Sequence, residues 1–257
     1  MREECLDILA EIFKRFGPLI LRYATLVNKE ELMRVVSEQL SREKLFLRKK
    51  ATNCLGALAE DLTQKQLQQM CLLLIDRIRK ARTKADTFTL IQCFGQMART
   101  VGNKIAQHLG DVFPLLSEQA WAVSREQSVD VDNEIAEACL STLETLVKKC
   151  PKEIAGYVER VLELAFELLT YDPNYTYDAD ADAHMEAAEE GAGWGSDFED
   201  ENAGNEDDDD TSWKVRRAAT KTIEAIIASR PDLLKTIYER YVRKLVDRFK
   251  ERDDNVK

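Results

Sequence analysis

Six cysteines and two histidines are the residues of this 257-residue chain best suited to chemistry, and their spacing argues against such a use. Cys5, Cys54, Cys71, Cys93, Cys139 and Cys150 never form a Cys-x-x-Cys pair, the spacing that zinc and redox sites favour. Most fall on apolar helical stripes, where a free thiol behaves as a small hydrophobe. They are expected to be reduced core residues, which points to a reducing compartment, the cytoplasm and nucleus. His108 lies in helical sequence and His184 in an acid-rich stretch, neither beside a plausible nucleophile, so no Cys–His dyad is expected. The run Gly191-Ala-Gly193-Trp-Gly195 is flanked by acids and preceded by no strand pattern. It would repel a phosphate rather than cradle one. Carboxylate pairs on the helices read as solvated charge or as i,i+4 partners of Lys and Arg. The chain is therefore expected to be no enzyme, with no cofactor and no small-molecule substrate.

One metal-like pattern remains. Asp178, Asp180, Asp182 and Glu189 take positions 1, 3, 5 and 12 of an EF-hand calcium loop, with Met185 at position 8. Position 6, which needs Gly for its sharp turn, is Ala183, and Asp172-Pro173-Asn174 opposes the helix that should lead in. Weak, diffuse cation association is all this stretch should support, and no metal site is expected.

The formal charge of −10 averages two unlike regions. Between Tyr171 and Trp213 stand sixteen acids and no Lys or Arg; the rest of the chain holds 31 acids against 37 Lys and Arg, about +6. Asp207, Asp208, Asp209 and Asp210 repel one another, and little apolar surface offsets the entropy of ordering, so this acidic loop should be disordered. It serves either as a solubilising excursion or as a tethered polyanion that competes for a basic surface. The basic runs of the body, Arg48-Lys49-Lys50, Arg77 to Arg82 and Arg240 to Arg248, are modest and dispersed. Such a surface suits protein recognition and not nucleic acid, whose binders concentrate phosphate contacts on one stripe. No apolar run is long enough to span a bilayer and no secretory signal is visible, so a soluble protein with no membrane partner is expected.

What must position these residues is a repeated helical hairpin. Matching Cys5, Ala51, Leu90, Ala136 and Ala219 as the small or apolar residue one turn into each first helix gives gaps of 46, 39, 46 and 83 residues. The last gap shrinks to 42 once the 41-residue acidic stretch 171–211 is set aside. Leu55 and Leu58 follow Ala51 as Ile223 and Ile226 follow Ala219, one apolar stripe at helical spacing. Leu67, Met70, Cys71, Leu74, Ile75 and Ile78 form the apolar face of a second helix. Gly17, Gly102, Pro151 and Pro231 are assigned to the turns joining first and second helices. A forty-residue hairpin cannot bury enough apolar area alone, so the copies must stack. The expected fold is all-α, an α-α superhelix of HEAT-repeat type with one long acidic disordered loop. Residues 1–170 hold about four hairpins, 171–211 the insert, and 212–257 another hairpin with the start of a next one at Asp254-Asn255-Val256-Lys257. Neither end shows a polar cap, so the chain reads as a piece of a longer solenoid whose ends fray in isolation. Arg48, Lys49, Arg216 and Arg217, which share a repeat position, are expected to pair with acids of adjacent turns or copies.

Cys150-Pro-Lys-Glu153, Leu169-Thr-Tyr-Asp-Pro-Asn-Tyr175, the acidic insert, Ser212-Trp-Lys-Val-Arg-Arg-Ala-Ala219 and Phe249-Lys-Glu-Arg-Asp-Asp-Asn-Val-Lys257 together resemble the cullin-associated, neddylation-dissociated family. The match is close over the second half and one of pattern over the first. The resemblance implies a non-catalytic scaffold that wraps an unneddylated cullin and its RING subunit and promotes exchange of substrate-receptor modules. On that footing a part of the arm should hold a cullin weakly without displacing its adaptor. The second helices of such a solenoid line its concave face, which makes Arg240, Lys244 and Arg248 candidate partner-binding residues, with simple solvation as their other reading. An importin-β-like transport receptor, which also carries an acidic loop, is the alternative.

Overall fold

The computed structural model describes residues 3–22, 28–125, 132–173, 211–251 and 253–256. Among the described residues there are ten α-helices and no strand. The first helices of five hairpins are α1 (Glu3–Arg22), α3 (Leu45–Ala59), α5 (Lys84–Val101), α7 (Asn133–Lys149) and α9 (Ser212–Ser229). Their second helices are α2 (Lys29–Glu38), α4 (Gln64–Lys80), α6 (Leu109–Arg125), α8 (Val158–Leu168) and α10 (Leu234–Asp247). Starts are set by side chains that accept orphan amide protons: Asn28, Thr63, Thr83 and Asp132 each cap the helix that follows, and Thr63 closes a reciprocal box with Gln66. Gly102 ends α5 with a φ of +60°, a conformation that costs a glycine nothing.

Each first helix packs on the first helix of the next hairpin, α1 on α3, α3 on α5, α5 on α7 and α7 on α9, so these five form one layer. The second helices cover it with looser mutual contact. The shared stripe is fully buried: Ala51, Leu55 and Leu58; Leu90, Phe94 and Met97; Ala136, Leu140 and Leu143; Ala219, Ile223 and Ile226. All belong to a single core that runs the length of the array. The expected face of α4, from Leu67 to Ile78, is buried as well. No hairpin has an interior apart from its neighbours.

Three details differ from the sequence reading. In α1 the stripe is Leu6, Ala10 and Phe13, whereas Cys5 is exposed, so the register moves by one residue and the first gap becomes 45. Gly17 lies inside α1 and not at a turn. It is buried where the chain crosses Asp61, and a Cβ at this position would stand 2.0 Å from Asp61 Oδ2. Close approach of the Asp61 carboxylate to the helix backbone is the reason for this glycine. At the far end, residues 254–256 form a turn and not the opening of a helix.

Two apolar stripes stay open, Ile8, Ile12, Phe16 and Leu19 on α1, and Leu234, Tyr238, Val246 and Phe249 on and just after α10. They lie on the first and last described hairpins, on faces that no other described residue covers.

Candidate protein-binding site

The described groups with chemical potential are packed away. Cys54, Cys71, Cys93, Cys139 and Cys150 are buried. Burial pushes the thiols of Cys54, Cys71 and Cys93 up to about 12 and that of Cys150 to about 11, and it raises Cys139 as well. A thiol that holds its proton so firmly is a poor nucleophile and a poor metal ligand. Titration of the native protein with a thiol reagent should therefore give one fast-reacting group, Cys5, with the other five reacting only on unfolding; rapid reaction of several would contradict this packing. His108 is buried too, in the 3-10 turn before α6, and burial lowers its pKa against the opposing pull of Asp111. No cluster of His, Cys, Asp and Glu able to hold a metal occurs among the described residues. His184, the EF-hand-like acids and Asp207 to Asp210 lie outside them. None of the described helices is long and apolar enough to cross a membrane.

The basic residues divide into a buried structural set and an exposed one. Arg48 donates from Nε to the carbonyl of Arg42, which closes the preceding hairpin, and its Nη1 pairs at 3.0 Å with Asp86 of the next one. Arg216 repeats the device. Its guanidinium meets Glu251 side-on, with Nε to Oε2 at 3.1 Å and Nη2 to Oε1 at 3.2 Å, while Nη1 donates to the Tyr171 carbonyl at 3.1 Å and to Ser212 Oγ at 2.8 Å. Asp172 Oδ2 stands 3.8 Å from Nη1. Arg216 and Glu251 are both almost fully buried, so this bidentate pair is a fixed strut and not a surface bridge. It ties the last residues before the acidic insert, the first helix after it and the segment beyond α10 into one joint. Tyr171 and Asp172, assigned to the insert by their lack of helical period, thus pack with the body. Lys49 and Arg217, the second members of each basic pair, are exposed.

Of the three cations expected to face a partner, Arg240 and Lys244 are exposed on α10, one turn apart. Arg248 departs from that spacing. It lies in the 3-10 turn after the helix, is mostly covered, and its Nη1 is 3.5 Å from Glu251 Oε2. The buried carboxylate that holds Arg216 draws in this second guanidinium. The inward residues of α10 are those its period indicated: Ile237 is buried, Leu233, Tyr241 and Leu245 pack on the core, and the Tyr241 ring stacks on Phe166 with centroids 4.1 Å apart. Charge alone had drawn attention to the outer face. The structure adds Leu234, Tyr238, Val246 and Phe249, which share the terminal hairpin with Arg240 and Lys244 and bring the apolar and aromatic surface that protein interfaces favour beside Arg. Their spacing of four, visible in the sequence from Leu234 to Tyr238, was the signal that could have found them.

No family model matches the chain. A cullin-associated NEDD8-dissociated protein 1 of Arabidopsis thaliana is 34% identical over 255 residues, 99% of this chain and 20% of the relative. A cullin-associated NEDD8-dissociated protein 2 of Mus musculus is 36% identical over 258 residues, 99% of this chain and 19% of the relative. The chain therefore spans about a fifth of the length of the curated relatives it matches. Among solved structures, a Kap121p mutant aligns with all of this chain and 28% of its own, at 11% identity and a TM-score of 0.47, a likeness too slight to carry an argument. Along 99% of its length, then, this chain is similar to about a fifth of the length of cullin-associated NEDD8-dissociated proteins.

Proposed function

We propose that the chain is part of a non-catalytic arm that grips unneddylated cullin–RING ubiquitin ligase cores and helps substrate-receptor modules exchange. The observation that carries this reading is similarity along 99% of the chain to proteins whose names state cullin association and NEDD8 dissociation. A stacked array with buried thiols and no reactive cluster among the described residues is compatible with a scaffold that works by binding. The mechanism needs only a coupling free energy: when arm and adaptor each weaken the other's hold on the cullin, each speeds the other's release, and no bond is made or broken by this protein. Neddylation would shift the same balance. Arg240 and Lys244 with the aromatic groups beside them are the proposed contacts on the described residues. The compartments proposed are cytoplasm and nucleus, and neither nucleic acid nor membrane is a proposed partner.

A pull-down decides between this reading and a transport receptor. The immobilised chain should retain an unmodified cullin–RING core above a blank resin, retain the neddylated form less, and ignore Ran loaded with GTP. Retention of Ran–GTP with no preference between the two cullin forms would contradict it.

A further inference from the structure

A polar trough of about 260 Å³ crosses the layer of first helices, from α3 over α5 to α7. It lies apart from the α10 face that carries Arg240 and Lys244. Three observations mark it as a place for a ligand. The Thr52 hydroxyl, on a residue more than nine-tenths buried in the trough wall, has no hydrogen-bond partner. The side-chain amides of Asn53 on α3, exposed, and Gln92 on α5, half-buried, line the same trough. These two occupy the same repeat position, two residues past Ala51 and Leu90, so stacking sets them side by side. An unpartnered buried hydroxyl costs free energy that a ligand's donor or acceptor would recover.

The spacing suits an extended chain. Adjacent helices lie about 8–10 Å apart, so the trough runs about 20 Å across three of them, the reach of about six residues of extended backbone. A primary amide offers one acceptor and two donors, and so can satisfy a peptide unit's N–H and C=O together. Charge fixes the class of sequence. At the α7 end stands Glu137, whose pKa is raised by burial and by the neighbouring Glu134 while Lys214, Arg217 and Lys221 pull it down. Those three cations fall at i, i+3 and i+7 on α9; they are not part of the trough lining but act on Glu137 and so border its α7 end, and Arg99 of α5 lines the trough itself.

We propose that this trough receives an extended, acid-bearing peptide segment of a partner protein, held through its main chain by Asn53 and Gln92 and through its acids by the basic border of α9. Backbone recognition by amides at successive repeats tolerates varied side chains, and the border selects for negative ones.

The probes are three fluorescein-labelled peptides of about eight residues with Glu, Lys or Ser at alternate positions, followed by anisotropy against the full chain at about 0.1 M salt. The Glu peptide should bind, and the Lys and Ser peptides should not. N53A/Q92A should weaken binding about tenfold by removing two hydrogen-bonding groups, and K214E/R217E should weaken it at least as much. Neither pair of residues is core, so the variants should melt as the parent does, and K214E/R217E reads the site independently of the amides. Equal affinity of the Glu and Ser peptides would overturn the proposal. So would unchanged Glu-peptide binding by N53A/Q92A, or a single-stranded oligonucleotide bound as tightly as the Glu peptide and indifferent to that variant, since each shows a bare cationic surface.

Discussion

Replacing Arg216 with Met should destabilise the protein by about 3–5 kcal/mol, because it strips the buried Glu251 carboxylate of its bidentate partner and leaves only the longer contact to Arg248. The loss has two stages. Glu251 sits in a short segment after α10 and escapes its under-compensated burial by carrying that segment into water, so local release there sets the upper limit of the cost. Four partners leave with the guanidinium: both Glu251 oxygens, the Tyr171 carbonyl and the Ser212 hydroxyl. Urea unfolding should thus show a lowered midpoint, and proteolysis should cut first near residues 248–251 and near the junction at 171–172. R216M combined with Glu251→Met should recover part of the loss, since an apolar pair of similar volume avoids the stranded charge. A double variant no more stable than R216M would assign the cost to shape alone.

Phe94→Ala should cost a similar amount, about 3–5 kcal/mol, through the cavity left in the middle of the first-helix layer. Phe94 is almost wholly covered in α5, which packs on α3 to one side and on α7 to the other. A void there loosens both interfaces at once. In a linear array each unit is held by its nearest neighbours, so a central cavity should lower the whole transition and not merely fray one end. Phe249→Ala, whose ring is 84% exposed, is the contrast and should change stability by less than about 0.5 kcal/mol. Matched urea titrations of the two variants measure the difference directly, and equal effects would contradict the core described above.

Most of the architecture could be read from residues alone, because a solenoid repeats its apolar stripe and the stripe survives a long insertion. Ala51, Leu90, Ala136 and Ala219 fall in register in the structure as in the sequence. The slip by one residue at the first hairpin has a simple cause: Cys5 and Leu6 are adjacent, both apolar, and only packing against α3 shows which faces inward. Gly17 was misplaced because glycine marks turns and close approaches alike, and Asp61, the residue it accommodates, is 44 positions away. Arg248 shows the same blindness to distance. A period of four on one helix cannot reveal that a carboxylate shared with Arg216 of another helix will claim it. Insert boundaries were legible only as loss of helical period, so Tyr171 and Asp172 were assigned to the wrong side of the joint they build. The trough was the least visible feature. Asn53, Gln92 and Glu137 each look like ordinary solvent-facing residues on separate helices, and only stacking lines them up.

Dependence of each hairpin on its neighbours is the physical claim beneath all of this, and an excised hairpin tests it most directly. Residues 84–125, comprising α5, the 3-10 turn and α6, should give the far-ultraviolet circular dichroism of a largely unfolded peptide with no cooperative melt, whereas the full chain melts as a helical protein. A monomeric, helical 84–125 fragment with a sharp thermal transition would show that a hairpin holds a core of its own, and would contradict the account.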